Sequence, residues 1–125
     1  MWIPSIEQVE RLHSKLIART GGSHGVRDMG LIESALMRGV ASFAGQERYP
    51  TMQEKAAAIC CGLISNHGFI DGNKRIGIAV LLLILHQNGM KVEYTQAELI
   101  ELGLSVAQGE TGTEAVTTWI LEHSI

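Results

Sequence analysis

Apolar residues recur every three or four positions along most of the chain, and no stretch alternates with period two, so the expected class is all-α. A first helix starts near Ser5, where Ser5-Ile6-Glu7-Gln8 has the form of a capping box. It carries Ile6, Val9, Leu12, Leu16 and Ile17 on one face and stops at Gly21-Gly22. Asp28 then offers an N-cap for a second helix through Leu31, Ile32, Ala35 and Leu36. Residues 40–50 lose the periodicity and end in Pro50, so a connecting loop or short hairpin is expected there. Thr51-Met52-Gln53-Glu54, a second box, opens a third helix to about Asn66 with Ala56, Ile59, Cys60 and Leu63 inward. A fourth helix from about Asn73 to Asn88 is apolar nearly all round over residues 76–85. That marks it as the central helix, and Gly89 closes it. Thr95-Gln96-Ala97-Glu98 and Thr111-Gly112-Thr113-Glu114 start a fifth helix, ending near Gln108-Gly109, and a sixth with Val116, Trp119 and Ile120. The expectation is about six helices around one buried helix, in a single domain over residues 1–125 without internal repeats.

Composition narrows the function more than the fold. With 46% hydrophobic and 18% charged residues the chain can bury a core, and its 125 residues suffice for one. Ten Lys+Arg against 13 Asp+Glu give a net charge of −3, so no overall basic field draws duplex nucleic acid or anionic lipid. The apolar run 76–85 is far short of the roughly 20 residues that span a bilayer. The N-terminal residues lack the basic and apolar regions of a signal peptide. Cys60 and Cys61 are adjacent, where a mutual bridge would be strained, so both are expected as free thiols in a reducing cytoplasm.

The chemistry concentrates in residues 67–75, HGFIDGNKR, between the third and fourth helices. A turn running into a helix N-terminus presents unpaired N–H groups and about half a positive charge, which suits phosphate. Gly72 lets a ligand approach the backbone, and Lys74 and Arg75 add cationic donors. Cations in a first turn oppose the helix dipole unless an anion binds there. Asp71 can hold a divalent metal that bridges phosphate oxygens. An imidazole, with an ordinary pKa of about 6.5, can take a proton from a hydroxyl near neutral pH, which makes His67 a candidate base. The same residue types also occur in ordinary interhelical loops.

HGFIDGNKR resembles the signature of the Fic/Doc family, His-x-Phe-x-(Asp/Glu)-(Gly/Ala)-Asn-(Gly/Lys)-Arg, in the lysine form of its death-on-curing (Doc) toxins. Gly21-Gly22, Gly25-Val26-Arg27-Asp28, Glu33-Ser34-Ala35 and Gln87-Asn88-Gly89 are similar to that branch too. The resemblance implies an all-α Fic fold and a toxin of a toxin–antitoxin pair. His67 would be the catalytic base, Asp71 would bind Mg²⁺, and Gly72, Asn73, Lys74 and Arg75 would cradle the phosphates of ATP. Phe69 would anchor the loop in the core, and residues 40–50 would correspond to the flap that aligns target backbone.

Two departures bear on the chemistry. Adenylylating Fic enzymes have Gly at Lys74 and a second Arg at Ile78. The lysine form goes instead with transfer of the γ-phosphate. The resemblance therefore implies a kinase of a Ser/Thr hydroxyl, with elongation factor Tu as the target. Ser65 and Ala79 also depart from the Doc prototype, which has Arg and Asn there. No inhibitory (Ser/Thr)-x-x-x-Glu-(Gly/Asn) motif occurs, so control falls to a separate, Phd-like antitoxin. An adenylyltransferase and a catalytically silent antitoxin-binding module are the alternatives. Elsewhere, His13, His24, His86 and His123 lack zinc-site spacing, Cys60 and Cys61 read as buried thiols, and the glycines between 21 and 30 do not form a P-loop. Arg27 and Asp28 are expected to form a helix cap and a local ion pair.

Overall fold

The computed structural model describes residues 1–125. It contains α1 (Ile6–Thr20), α2 (Met29–Arg38), a hairpin of β1 (Ser42–Phe43) and β2 (Gln46–Glu47), α3 (Met52–Asn66), α4 (Asn73–Gln87), α5 (Gln96–Ala107) and α6 (Thr113–His123). Three of the four expected capping boxes form as written. The side chains of Ser5, Thr51 and Thr95 accept from the N–H of Gln8, Glu54 and Glu98, whose side chains return the bond to the cap backbone. The fourth does not form. Gly112 is the N-cap of α6 without a side-chain bond, because Thr111 is drawn to Ser105 at the end of α5, through hydroxyl–hydroxyl and backbone contacts. Asp28 caps α2 by accepting from the N–H of Leu31 at 3.3 Å.

The unpatterned stretch 40–50 holds an antiparallel hairpin, Ser42 opposite Glu47 and Phe43 opposite Gln46. Its turn residues Ala44 and Gly45 both have positive φ, the geometry of tight hairpin turns that follow strand twist. Its strands bury nothing. It is tethered to α3 by Lys55, a buried lysine whose Nζ donates to Glu47 Oε1 at 2.9 Å and to the Gly39 carbonyl at 3.4 Å.

The central helix is α3, not α4 as its apolar run suggested. Every residue of α3 from Lys55 to Ile64 is buried. Its alanines, cysteines and glycine are small, so neighbouring helices come close on all sides. On the facing helix, a Cβ at Gly77 would lie 2.5 Å from Ile64 Cγ1 and 3.1 Å from the Cys60 carbonyl. Helix α4 buries Ile76, Val80, Leu81, Ile84 and Leu85 against this core, but Ile78, Ala79, Leu82 and Leu83 are only partly covered. Ile78, Ala79 and Leu82 face a groove between α1, α4 and α5. Cys60 and Cys61 are free and buried, and burial pushes both thiols up, Cys60 further than Cys61. No helix is long and apolar enough to cross a membrane.

The ends of α5 and α6 are joined by a charged pair. His123 Nδ1 donates to the Trp119 carbonyl at 2.8 Å and Nε2 to Glu98 Oε2 at 2.6 Å, and the ring stacks on Trp119. Both nitrogens face acceptors, so the ring is held as imidazolium. The Glu98 bond and then the Trp119 carbonyl raise the His123 pKa, while the His123 bond and then Thr95 lower that of Glu98. The His123 contribution is complete below its unfolded value of about 6.5 and is lost as pH rises through the raised folded value. That of Glu98 is complete above the ordinary carboxylate range and is lost in acid. The Tm advantage of wild type over His123→Asn is therefore expected to be greatest between the carboxylate range and about pH 6.5 and to shrink as pH rises through the raised folded value. An advantage that stays constant in a calorimetric pH series would remove the charged pair from this account.

Candidate active site

The segment between α3 and α4 is placed by its own sequence and by the loop joining α1 to α2. Helix α3 ends at His67, with φ 52° and ψ 47°. A non-glycine residue in this left-handed region is uncommon and persists only where its surroundings hold it. Its imidazole is exposed. Beyond it Phe69 turns inward, 2% exposed, and stacks on His13 with ring centroids 3.8 Å apart. The buried His13 donates from Nε2 to the Asp71 carbonyl at 2.7 Å, since a carbonyl only accepts. Helix α1 thus holds both the anchor and the backbone of the metal-ligand candidate.

Asn73 reaches back to Phe69 with both ends of its amide. Oδ1 accepts from the Phe69 N–H at 3.1 Å, and Nδ2 donates to the Phe69 carbonyl at 3.0 Å. The side chain expected among the phosphate-binding groups therefore shapes the loop. What Asn73 keeps for a ligand is its main-chain N–H.

Asp71 points outward, its carboxylate oxygens accepting from the N–H groups of Ser23 at 3.1 Å and Gly72 at 2.8 Å. These two bonds, Ser23 first, lower its pKa against a weaker opposing desolvation, with smaller help from Arg75 and His13. The carboxylate stays ionised at neutral pH. Gly72 is the N-cap of α4 at φ +77°, where an added Cβ would also press within 3.1 Å of Ile17 Cδ1. It supplies no capping side chain. The N–H groups of Asn73, Lys74 and Arg75 consequently have no acceptor within the chain, whereas each box-capped helix has its third N–H satisfied by the cap side chain. This is the local arrangement that takes an anion.

The two cations behave differently. Arg75 turns back to α1, donating from Nη1 to Thr20 Oγ1 at 2.5 Å and the Gly21 carbonyl at 2.7 Å, with Nη2 3.7 Å from Asp71. Lys74 is exposed and has neither a hydrogen bond nor an ion pair. It lies at the mouth of the groove of about 430 Å³, with Ile78 one helical turn on and Leu16, Leu99 and Ile100 across from it. Ala79 also lines the groove, whereas Ser65 is exposed on α3.

Residues 67–75 therefore make up one candidate site, with His67, Asp71 and Lys74 exposed or half-exposed on it. Two contributors were not expected. His13 lies four residues from both Val9 and Ile17, so a polar residue on a buried helical face was the available signal. Arg27 was expected to pair with Asp28. Instead its Nε donates to the His67 carbonyl at 2.7 Å and its Nη2 to that of Asn66 at 3.2 Å. Asp28 is turned to its cap, which leaves the guanidinium free to reach α3.

The Fic/DOC family model matches residues 3–85. Toxin Doc of Mycolicibacterium smegmatis is 42% identical over 72 residues, 58% of this chain and 55% of that protein, so the match spans about half of the relative's length. Protein kinase doc of Escherichia phage P1 is 33% identical over 112 residues, 90% of this chain and 87% of the phage protein. The matched region contains the whole site from His13 to Arg75, and the chain belongs to the Fic/Doc family.

Proposed function

We propose that the chain is a Doc-type toxin that transfers the γ-phosphate of ATP to a Ser/Thr hydroxyl of a protein, with elongation factor Tu as the target. The observation that carries this reading is Lys74. An exposed, unpartnered ammonium stands at a helix start whose N–H groups are free, beside an ionised carboxylate and an exposed imidazole. Positive charge left unpaired at the positive end of a helix is unfavourable until an anion arrives. A triphosphate relieves that conflict. Support for transfer of phosphate rather than AMP comes from the same face. Lys74 fills the position that glycine holds in adenylylating enzymes, and the side chain after it in the groove is the apolar Ile78.

In this reading the free N–H groups of α4 and Lys74 bind the phosphates. His67 accepts the proton of the target hydroxyl, whose oxygen bonds to the γ-phosphorus as the bond to the ADP oxygen breaks. Arg75, held by Thr20 and Gly21, keeps Asp71 company and fixes the α1 end of the site. The residues present fit a divalent cation at Asp71. Each oxygen accepts one N–H and retains acceptor capacity, and no group of three His, Cys, Asp or Glu surrounds it. The remaining ligands would be phosphate and water, the habit of Mg²⁺. When bound, Mg²⁺ would offset charge on the phosphate oxygens. Exposed Ile100 and Leu104 on the groove are the kind of apolar face that a helix of a Phd-like antitoxin covers.

The test is to incubate the chain with elongation factor Tu, Mg²⁺ and ATP and weigh the factor intact. A gain of about 80 Da, one phosphoryl group, is expected. A gain of about 329 Da, one AMP, would transfer the assignment to an adenylyltransferase. No gain with any protein of a bacterial lysate, together with no ATP binding, would leave a silent antitoxin-binding module.

A further inference from the structure

We propose that Arg27 is a positioning residue for His67, an inference that rests on the reading of His67 as the base and extends it. Three consecutive carbonyls at the end of α3 are bonded by this one residue. Nη2 takes that of Asn66 at 3.2 Å, Nε that of His67 at 2.7 Å, and the Arg27 N–H that of Gly68 at 2.8 Å. The Asp28 N–H adds a second bond to Gly68 at 2.9 Å. The last carbonyls of a helix have no partner within it, and helices often satisfy them with a cation of their own last turn. Helix α3 has no basic residue there. Arg27 supplies the missing cation from a distant loop, and its fork spans the two peptide units that flank the left-handed His67.

This geometry separates His67 from the rest of the site. Asp71 is held by Ser23, Gly72 and His13, and Arg75 by Thr20 and Gly21, none of which involves Arg27. Loss of the guanidinium therefore releases the base while the phosphate-binding side stays in place. Arg27 is exposed, so its replacement removes no core contact.

The experiment compares wild type with Arg27→Met and Arg27→Lys by two readouts. In the transfer assay kcat is expected to fall roughly ten- to hundred-fold in Arg27→Met, the cost of a misplaced reacting group, with KM for ATP changed less than about two-fold. Arg27→Lys, which keeps the charge but not the fork, should recover part of kcat. Independently of activity, the carbonyl ¹³C shifts of Asn66 and His67 and the Cα shift of His67 should move in Arg27→Met, while those of Asp71 and Arg75 stay. Unmoved His67 shifts overturn the proposal, as does an unchanged kcat or a KM that rises in step with the loss. If wild type transfers nothing, the kinase reading fails, and the chemical shifts alone decide whether Arg27 sets the His67 conformation.

Discussion

Replacing His67 by asparagine is expected to lower phosphoryl transfer by about 10²- to 10⁴-fold, the usual contribution of a positioned base, with almost no change in thermal stability. Asparagine is the informative choice because of the backbone. His67 sits at φ 52° and ψ 47°, a conformation that asparagine tolerates and alanine resists at a cost of about 1–2 kcal/mol. The imidazole is exposed and makes no hydrogen bond, so its removal costs nothing else in the fold. His67→Ala should lose the same activity and show a modest fall in Tm as well. Rates from intact-mass time courses, set beside calorimetric Tm values, check the pair. Activity retained by both variants would show that another group, or none, takes the hydroxyl proton. Cells producing either variant without antitoxin should grow.

Much of the fold could be read from local signals, and the exceptions share a physical cause. The boxes at Ser5, Thr51 and Thr95 form because each is closed within one helical turn, and the loss of periodicity before Pro50, which fits a connecting loop or a short hairpin, resolves as a hairpin. The Thr111 box failed because Ser105, at the far end of a tight α5–α6 turn, competes for the same hydroxyl. Helix α3 was passed over as the centre because alanine, cysteine and glycine raise hydrophobicity little. Small side chains show their effect only when other helices have closed on them. Its more apolar neighbour α4 instead spends part of its surface on the groove. The site divides in the same way. Residues 67–75 are contiguous, so their chemistry is visible as a motif, and Asp71 is half-exposed and Lys74 exposed on the folded chain. Asn73 is the exception, turned inward by the need to pair the Phe69 backbone. His13 and Arg27 act across 58 and 40 residues, and sequence spacing carries no trace of such contacts until the chain has folded.

Phe69→Ala is expected to be the most damaging single change to stability in the signature, at about 3–5 kcal/mol for loss of a buried aromatic and the cavity it leaves. Native domains are stable by about 5–15 kcal/mol, so this is a large share of the total. Phe69 is 2% exposed, stacks on His13 at 3.8 Å, carries the backbone N–H and carbonyl that the Asn73 amide pairs with, and lies opposite Val26 in a bridge whose hydrogen bonds run through its neighbours Gly68 and Ile70. Its loss therefore loosens His13 as well, whose ring loses its stacking partner while its Nε2 still needs the Asp71 carbonyl. Urea titration should show a fall in unfolding free energy of this size, read as the midpoint shift multiplied by the slope m, whereas Phe69→Leu, which keeps most of the volume, should cost less than about 1.5 kcal/mol. A loss below about 1 kcal/mol in Phe69→Ala would mean that the loop is held by Asn73 and Arg27 and that the aromatic is dispensable. The contrast with His67→Asn makes the assignment of roles testable. One residue should cost activity without stability and the other stability first, although only Gly68 separates them. The division follows from the left-handed turn at His67, which sends the imidazole to solvent and lets Phe69 turn into the core.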